Sequence, residues 1–260
     1  MTRLMAACII LLICATLATS QEVRIMTFNI HYGRGPDGQV DLGQLAQIVK
    51  RADPHILLLN EVDAYRFRSG GINQARHLPQ LFGYPYSFYG PTLPQGFLRY
   101  LMPQRYGNLL LSKYPLERVE VYQLPSAREP RNIIVAQIEI DGQSLYVCGT
   151  HLGLSQEERL QHIQFLLNIK ERLPGPVVLL GDFNAPPTSE EIQGITAHFQ
   201  DAHLLAGSGS GATFPSPDPR ARIDYIFLSP ALAPYLVETK TLPSPVSDHR
   251  PVLAVLKLKK

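Results

Sequence analysis

Val177-Val178-Leu179-Leu180-Gly181-Asp182-Phe183-Asn184 is an apolar run that stops at a glycine and at once delivers a carboxylate and a carboxamide. Four consecutive valines and leucines predict a buried strand. Gly181 ends the run, and Asp182 and Asn184 follow at a spacing of two, which in extended backbone puts both side chains on one face. Pro186 and Pro187 then block further pairing. A carboxylate can take a proton or hold a cation, and an amide can donate to an anionic oxygen without adding charge. On its own the tetrapeptide reads equally well as a solvated strand-end turn, where Asp and Asn are common. The recurrence of the same pattern elsewhere in the chain decides between the two.

The first such recurrence is Val23-Arg24-Ile25-Met26-Thr27-Phe28-Asn29-Ile30, a strand pattern that ends in an amide. Residues 41–51 have helical spacing (Leu42, Leu45, Ile48, Val49) with Asp41 as N-cap. Residues 56–59 form a second continuous apolar run, hence another buried strand, and it ends in Asn60-Glu61-Val62-Asp63. Glu61 reads either as a salt-bridged edge residue or as a metal ligand. Its place after a wholly apolar strand favours the ligand, because a buried carboxylate needs a cation or donors. A helix over 71–82 stops at Gly83. Strands follow at 84–90, 106–112, 119–124 and 133–140, and Asp141-Gly142 signals a hairpin into 144–150. His151 ends that strand. Residues 155–172 are an amphipathic helix opened by a capping box, Ser155 to Glu158. Beyond the central strand come a short helix at 188–194, a Gly/Ser loop at 206–212, and a strand over 222–228 with Asp224 near its start. A strand at 235–241 follows, then a polar turn carrying Asp248 and His249, then a closing strand at 252–257. Strands outnumber helices and the long helices are separated by strand pairs. The expected fold is a four-layer α/β sandwich, two packed mixed β-sheets flanked by helices.

Hydrophobic content of 45% with 18% charged residues is that of a globular chain, and 260 residues without a linker-like run or repeat suit one domain over 21–260. A net charge of +2 does not by itself imply nucleic acid. Residues 1–20 read as a secretory signal: Arg3, an apolar stretch over 4–17, then the small residues Ala18-Thr19-Ser20. An uncleaved anchor is the alternative, though the apolar run is short for a spanning helix. Cys8 and Cys14 leave with the signal, so Cys148 has no partner for an internal disulfide. The expected location is periplasmic or extracellular.

Polar residues thus gather at strand ends: Asn29, Glu61, His151, Asp182, Asn184, Asp224, Asp248 and His249. Several carboxylates without a cysteine cluster suit a hard cation, Mg²⁺ first, with Mn²⁺ or Ca²⁺ as alternatives. Two separated histidines do not make a zinc cage. Amide and imidazole donors beside a hard cation are what a phosphate oxyanion needs. The chemistry implied is hydrolysis of a phosphate ester by a water that a carboxylate activates. The loop over 91–104 carries Phe97, Leu98, Tyr100, Leu101 and Met102, which read either as a lid packed on the body or as an apolar rim contacting substrate or a membrane surface. No obligate protein partner is indicated.

Thr27-Phe28-Asn29-Ile30, Asn60-Glu61-Val62-Asp63, Gly149-Thr150-His151-Leu152, Gly181-Asp182-Phe183-Asn184, Ile223-Asp224-Tyr225-Ile226 and Ser247-Asp248-His249-Arg250-Pro251 together resemble, in order, the motifs of the endonuclease/exonuclease/phosphatase family, whose fold is that of DNase I. By that resemblance Glu61 would bind the metal with Asn29 beside it, and Asp248 would support the metal site. Asp182 would deprotonate the attacking water, and Asn184 would hold a phosphate oxygen. His249 would sit against the phosphate, oriented by Asp224. His151 resembles the second phosphate-binding histidine of the DNase I, phosphatase and sphingomyelinase branches, which argues against a repair nuclease. Asn60 stands where the family more often has Gln, a change expected to leave catalysis unaffected. Tyr106 and Arg131 are further candidate substrate contacts, and His31 reads as a plain loop histidine. The substrate classes left open are nucleic acid, phospholipid or a small phosphate ester. A secreted nuclease would draw on Arg99, Arg105, Arg128 and Arg131, and a non-catalytic binding module on the same fold is the remaining alternative.

Overall fold

The computed structural model describes residues 20–92 and 104–259. The apolar 97–102 segment, Arg99 and all but the last residue of the expected signal lie outside the described residues. The chain opens in one sheet with β1 (Ser20–Asn29), β2 (Ile56–Ala64), β3 (Tyr86–Thr92) and β4 (Arg105–Ser112). It crosses to a second sheet for β5 (Leu116–Leu124), β6 (Arg131–Ile140), β7 (Gln143–His151), β8 (Val177–Asp182), β9 (Gln200–Asp201) and β10 (Asp224–Leu228). It then returns to the first with β11 (Leu236–Thr241) and β12 (Val252–Lys259). The strand orders are β11-β12-β1-β2-β4-β3 and β5-β6-β7-β8-β10-β9.

Each sheet holds one parallel pair at its centre, β1/β2 and β7/β8, flanked on both sides by antiparallel neighbours. A parallel pair needs a crossover, supplied by helices α1 (Leu42–Ala52) and α3 (Gln156–Lys170). The two sheets are therefore built to one plan, although no repeat is visible in the sequence. The outer helices explain why the central strands read as unbroken apolar runs. Ile25, Leu58, Leu110, Ile134, Val178 and Leu180 fill the space between the sheets. Their neighbours Met26, Phe28, Leu57 and Leu59 face α1 and α2 (Gln74–Phe82). Leu179 and Phe227 face α3 and α4 (Glu190–Thr196) on the far side. Packed layers of helix, sheet, sheet and helix result, as the sequence led one to expect.

The boundaries differ in instructive ways. β1 begins at Ser20, paired with Lys259 of β12. β2 does not stop at Leu59 but runs to Ala64 across a bulge at Asn60-Glu61. The capping box of α3 is only half formed: Ser155 accepts from Glu158 N at 3.3 Å, but the Glu158 carboxylate turns away to Ala127 N at 2.9 Å. The short β9 and the helix α5 (Ala202–Ala206) carry too few residues to show a period.

Gly181 does not end its strand. It has φ +145°, and a Cβ there would lie 1.9 Å from the Thr150 carbonyl oxygen of β7. The glycine is required by close backbone approach inside the sheet. Gly181→Ala is expected to lower stability by at least about 2 kcal/mol, read as a fall in urea midpoint at unchanged m-value. An unchanged midpoint would show that β7 and β8 are not in this contact.

Candidate active site

The strand directions bring the polar residues together. Parallel strands β1, β2, β7 and β8 all finish at one end of the sandwich, and their antiparallel neighbours β4, β6, β10 and β12 all begin there. Asn29 is level with Asn60, His151 with Asp182, and Asp182 with Asp224. Crevices at the carboxyl ends of parallel strands are where open α/β sheets place their ligands.

Asp182 is the centre of the group and is almost wholly buried. Its Oδ2 accepts from Asn29 Nδ2 at 2.9 Å and lies 3.4 Å from His151 Nε2 and 3.7 Å from His249 Nε2. Its Oδ1 accepts from Asn184 N at 2.9 Å. Burial, and after it the Asp224 carboxylate, push the Asp182 carboxyl well above the usual carboxylate range, against the pull of His249 and the two hydrogen bonds. A carboxylate with raised proton affinity is suited to general-base work near neutral pH.

The two histidines are in opposite states. His249 Nδ1 is 2.9 Å from Asp224 Oδ2, and the ring leans on Phe214 at a centroid distance of 4.9 Å. Burial pulls this imidazole down, but Asp224 and Asp182 together outweigh burial and push it up to about 10. His151 is driven the other way, first by burial and then by the Arg131 guanidinium and His249, to well below the ordinary histidine value. His249 is thus a buried cation and His151 a buried neutral ring.

A chain of amides ties the sheets together beneath these groups. Asn60 Oδ1 accepts from Asp182 N at 3.1 Å, and Asn60 Nδ2 donates to Asn108 Oδ1 at 2.7 Å and Thr150 O at 3.0 Å. Asn108 Nδ2 donates to Asn132 Oδ1 at 2.9 Å, and Asn132 Nδ2 to Gly90 O at 2.9 Å. All three asparagines are buried, and a fully satisfied network of this kind rigidifies what it touches. Asn60 is therefore the side chain that holds the backbone of Asp182. Asn29 and Asn60 reach Asp182 from strands of the first sheet, so its position is a property of both sheets.

Asn184 is not in extended backbone. Its φ is +50°, so the argument from a shared strand face fails beyond Asp182. The turn instead points its carboxamide at Leu152 O, 3.0 Å away, leaving the second N–H of the same nitrogen for another acceptor.

For a cation, two groups of residues present themselves. Asp182, Asp224 and His249 offer ligand atoms within 4.8 Å of one another, but both ring nitrogens of His249 face carboxylates, which protons already satisfy. Glu61 is different. It sits in the β2 bulge at φ +61°, a strained position for a residue with a side chain. It has no ion-pair partner among the described residues, and its Oε1 accepts from Asn29 Nδ2 at 3.2 Å. Such a carboxylate fits a hard cation. Asp248, expected to support that metal, has Oδ1 3.4 Å from His31 Nδ1, and its neighbour Ser247 donates to Asn29 O at 2.7 Å. His31 donates its backbone N–H to Asn29 Oδ1 at 3.1 Å, so this histidine adjoins the site. Asn132 carried no signal in the sequence, and Asn108 and Ser247 stood there only inside stretches that resemble the family's, because the partner of each lies on a distant strand.

Comparison with solved structures gives the same fold repeatedly. An endonuclease/exonuclease/phosphatase from Beutenbergia cavernae superposes with a TM-score of 0.75 at 25% identity, covering 92% of this chain and 72% of that one. The mannosyl-6-phosphatase of Bacteroides thetaiotaomicron gives a TM-score of 0.71 at 16% identity, covering 89% and 98%. Truncated TDP2 of Caenorhabditis elegans gives 0.65 at 22% identity, covering 91% and 97%. No curated protein matches the chain by sequence. The family model described as endonuclease/exonuclease/phosphatase family matches residues 26–249, from the strand that delivers Asn29 to the histidine held by Asp224. The chain belongs to the endonuclease/exonuclease/phosphatase family, whose members hydrolyse phosphate esters.

Proposed function

We propose that this protein is an exported, metal-dependent phosphodiesterase in which Asp182 activates the attacking water. The observation that supports this most is the buried Asp182 carboxylate, which meets the Nε2 atoms of both histidines and the Asn29 amide. Asp182 takes the proton from water, and the new P–O bond forms as the ester bond to the leaving group breaks. His249, charged through Asp224, and the free N–H of Asn184 stabilise the negative charge that accumulates on the phosphate oxygens. Glu61, with Asn29 beside it and Asp248 in support, would hold a divalent cation, Mg²⁺ first, which when bound supplies further neutralisation of that charge. Of the arginines a nuclease would draw on, Arg131 is buried, donating to Tyr106 and lying beside His151. The sugar phosphatase and TDP2 resemble this chain in fold, which leaves monoester against diester to experiment.

The test is hydrolysis of bis-p-nitrophenyl phosphate beside p-nitrophenyl phosphate, with Mg²⁺, Mn²⁺ or EDTA. Diester cleavage that EDTA abolishes is expected. Cleavage of the monoester alone would make the protein a phosphatase, and no release from either would favour the binding module. Glu61→Gln is expected to raise the Mg²⁺ concentration for half-maximal rate at least about tenfold, since ligand charge sets affinity for a hard cation. An unshifted Mg²⁺ titration would remove Glu61 from the metal site.

A further inference from the structure

Arg131, a candidate substrate contact, lies buried against His151. Its side chain is 3% exposed, at the start of β6. Nη1 donates to Tyr106 Oη at 2.7 Å and lies 3.1 Å from His151 Nδ1, while Nη2 pairs with Glu129 Oε2 at 2.9 Å. Tyr106 Oη is itself 3.4 Å from the same Nδ1. A guanidinium has only donors and does not lose its proton. Burial, followed by the charge of Glu61, raises the Tyr106 phenol, so it too keeps its proton. The Arg131 guanidinium, an obligate donor, lies against His151 Nδ1, so that atom must accept, and the Tyr106 hydroxyl, which itself accepts from Arg131, is free to turn its proton to the same atom. The ring proton is left on Nε2, which faces Asp182 Oδ2 at 3.4 Å, where the reacting phosphate is placed under the function proposed above.

We propose that Arg131 is a positioning residue that fixes His151 as the neutral Nε2–H tautomer, so that His151 acts as an uncharged hydrogen-bond donor to a phosphate oxygen and not as a proton source. The proposal rests on the phosphodiesterase reading for its role in turnover, but its structural half does not. The groups facing the ring are Arg131, Tyr106, Asp182 and His249, with Glu129 behind Arg131. The direction in which His151 is shifted agrees with a ring that stays neutral. Division of labour follows: one imidazole carries charge to the phosphate, the other carries only a dipole.

Long-range ¹H–¹⁵N spectra of full-length, metal-free protein labelled at its histidine ring nitrogens test this, with the His151 signals assigned by their loss in His151→Gln. The wild type is expected to show protonated Nε2 and unprotonated Nδ1 at pH 7. Arg131→Met is expected to convert Nδ1 partly or wholly to the protonated form, and Arg131→Lys, which keeps a donor, to restore the wild-type pattern. With bis-p-nitrophenyl phosphate and Mg²⁺, Arg131→Met is expected to lower kcat about tenfold or more with KM changed less than about threefold, and Arg131→Lys to recover part of that loss. Protonated Nδ1 in the wild type, or an unaltered pattern in Arg131→Met, would overturn the proposal, and the wild-type spectrum decides even where Arg131→Met does not fold. The expected spectra from a protein that cleaves no phosphate ester would leave the tautomer standing and remove the function.

Discussion

Asp182→Asn is expected to lower turnover by at least about two powers of ten and, at the same time, to raise the melting temperature. The loss follows from removing the carboxylate that meets both histidines and the Asn29 amide at once. The gain follows from the energetics of the same atom. In the folded state the Asp182 carboxyl is held above its unfolded value of 3.8 by burial and then by Asp224. Ionising it therefore costs the fold free energy, and that cost grows as pH rises from the unfolded value through the folded one. The upward shift remains after the attraction of His249 is counted, so an uncharged isostere relieves a net strain. One pKa unit corresponds to about 1.4 kcal/mol, and for a chain of this size each kcal/mol moves the melting temperature by about 2–4 °C. Calorimetry at pH 8 should show the stabilisation and calorimetry at pH 4 should show little of it. A variant as unstable as it is inactive would mean that Asp182 holds the fold together instead of straining it.

Asp224→Asn is expected to cost about two powers of ten in kcat/KM and to pull in the alkaline side of the pH profile. His249 is charged because the carboxylates of Asp224 and Asp182 overcome its burial. Take Asp224 away and burial gains ground, so the ring releases its proton at a lower pH. In the wild type the activity carried by His249 should persist until pH climbs toward about 10; in the variant it should fade at least about one unit earlier. Stability moves in the same sense. A histidine whose folded pKa is raised contributes stability that is complete below its unfolded value of 6.5 and is lost as pH rises through the folded value. Asp224→Asn should therefore lose stability at pH 6–8, where the wild type still keeps the imidazolium. An alkaline limb that stays where it was would show that His249 is not the group being titrated.

What local pattern encodes, the sequence disclosed. Apolar runs such as 56–59 and 177–180 marked strands covered on both faces, and the polar residues ending them marked the working end of the sandwich. Caps were equally visible, as with Asp41, which accepts from Gln44 N at 2.8 Å. What stayed hidden was whatever depends on one sheet meeting the other. Asn108 looked like a polar residue in a strand, and nothing nearby shows that it will bond Asn132 across the core. Arg131 looked like a cation near an anionic substrate because its burial comes from Tyr106 and His151, which lie 25 and 20 residues away along the chain. Asn184 was misplaced by assuming extended backbone where the chain turns left-handed. Local spacing finds elements and their ends; long-range hydrogen bonds decide what the ends do.

The order in which the strands are laid down has a consequence for synthesis. Among the described strands β1, the first in chain order, lies between β2 and β12, the last in chain order. It pairs with β12 over the eight residues from Ser20 to Thr27. Until residues 252–259 have been made, β12, which follows the turn carrying His249, is missing and β1 keeps an unpaired edge. A product that stops before residue 249 therefore has neither a closed sheet nor the imidazolium beside Asp182. A chain cut off before that turn is expected to be inactive as well as unfinished.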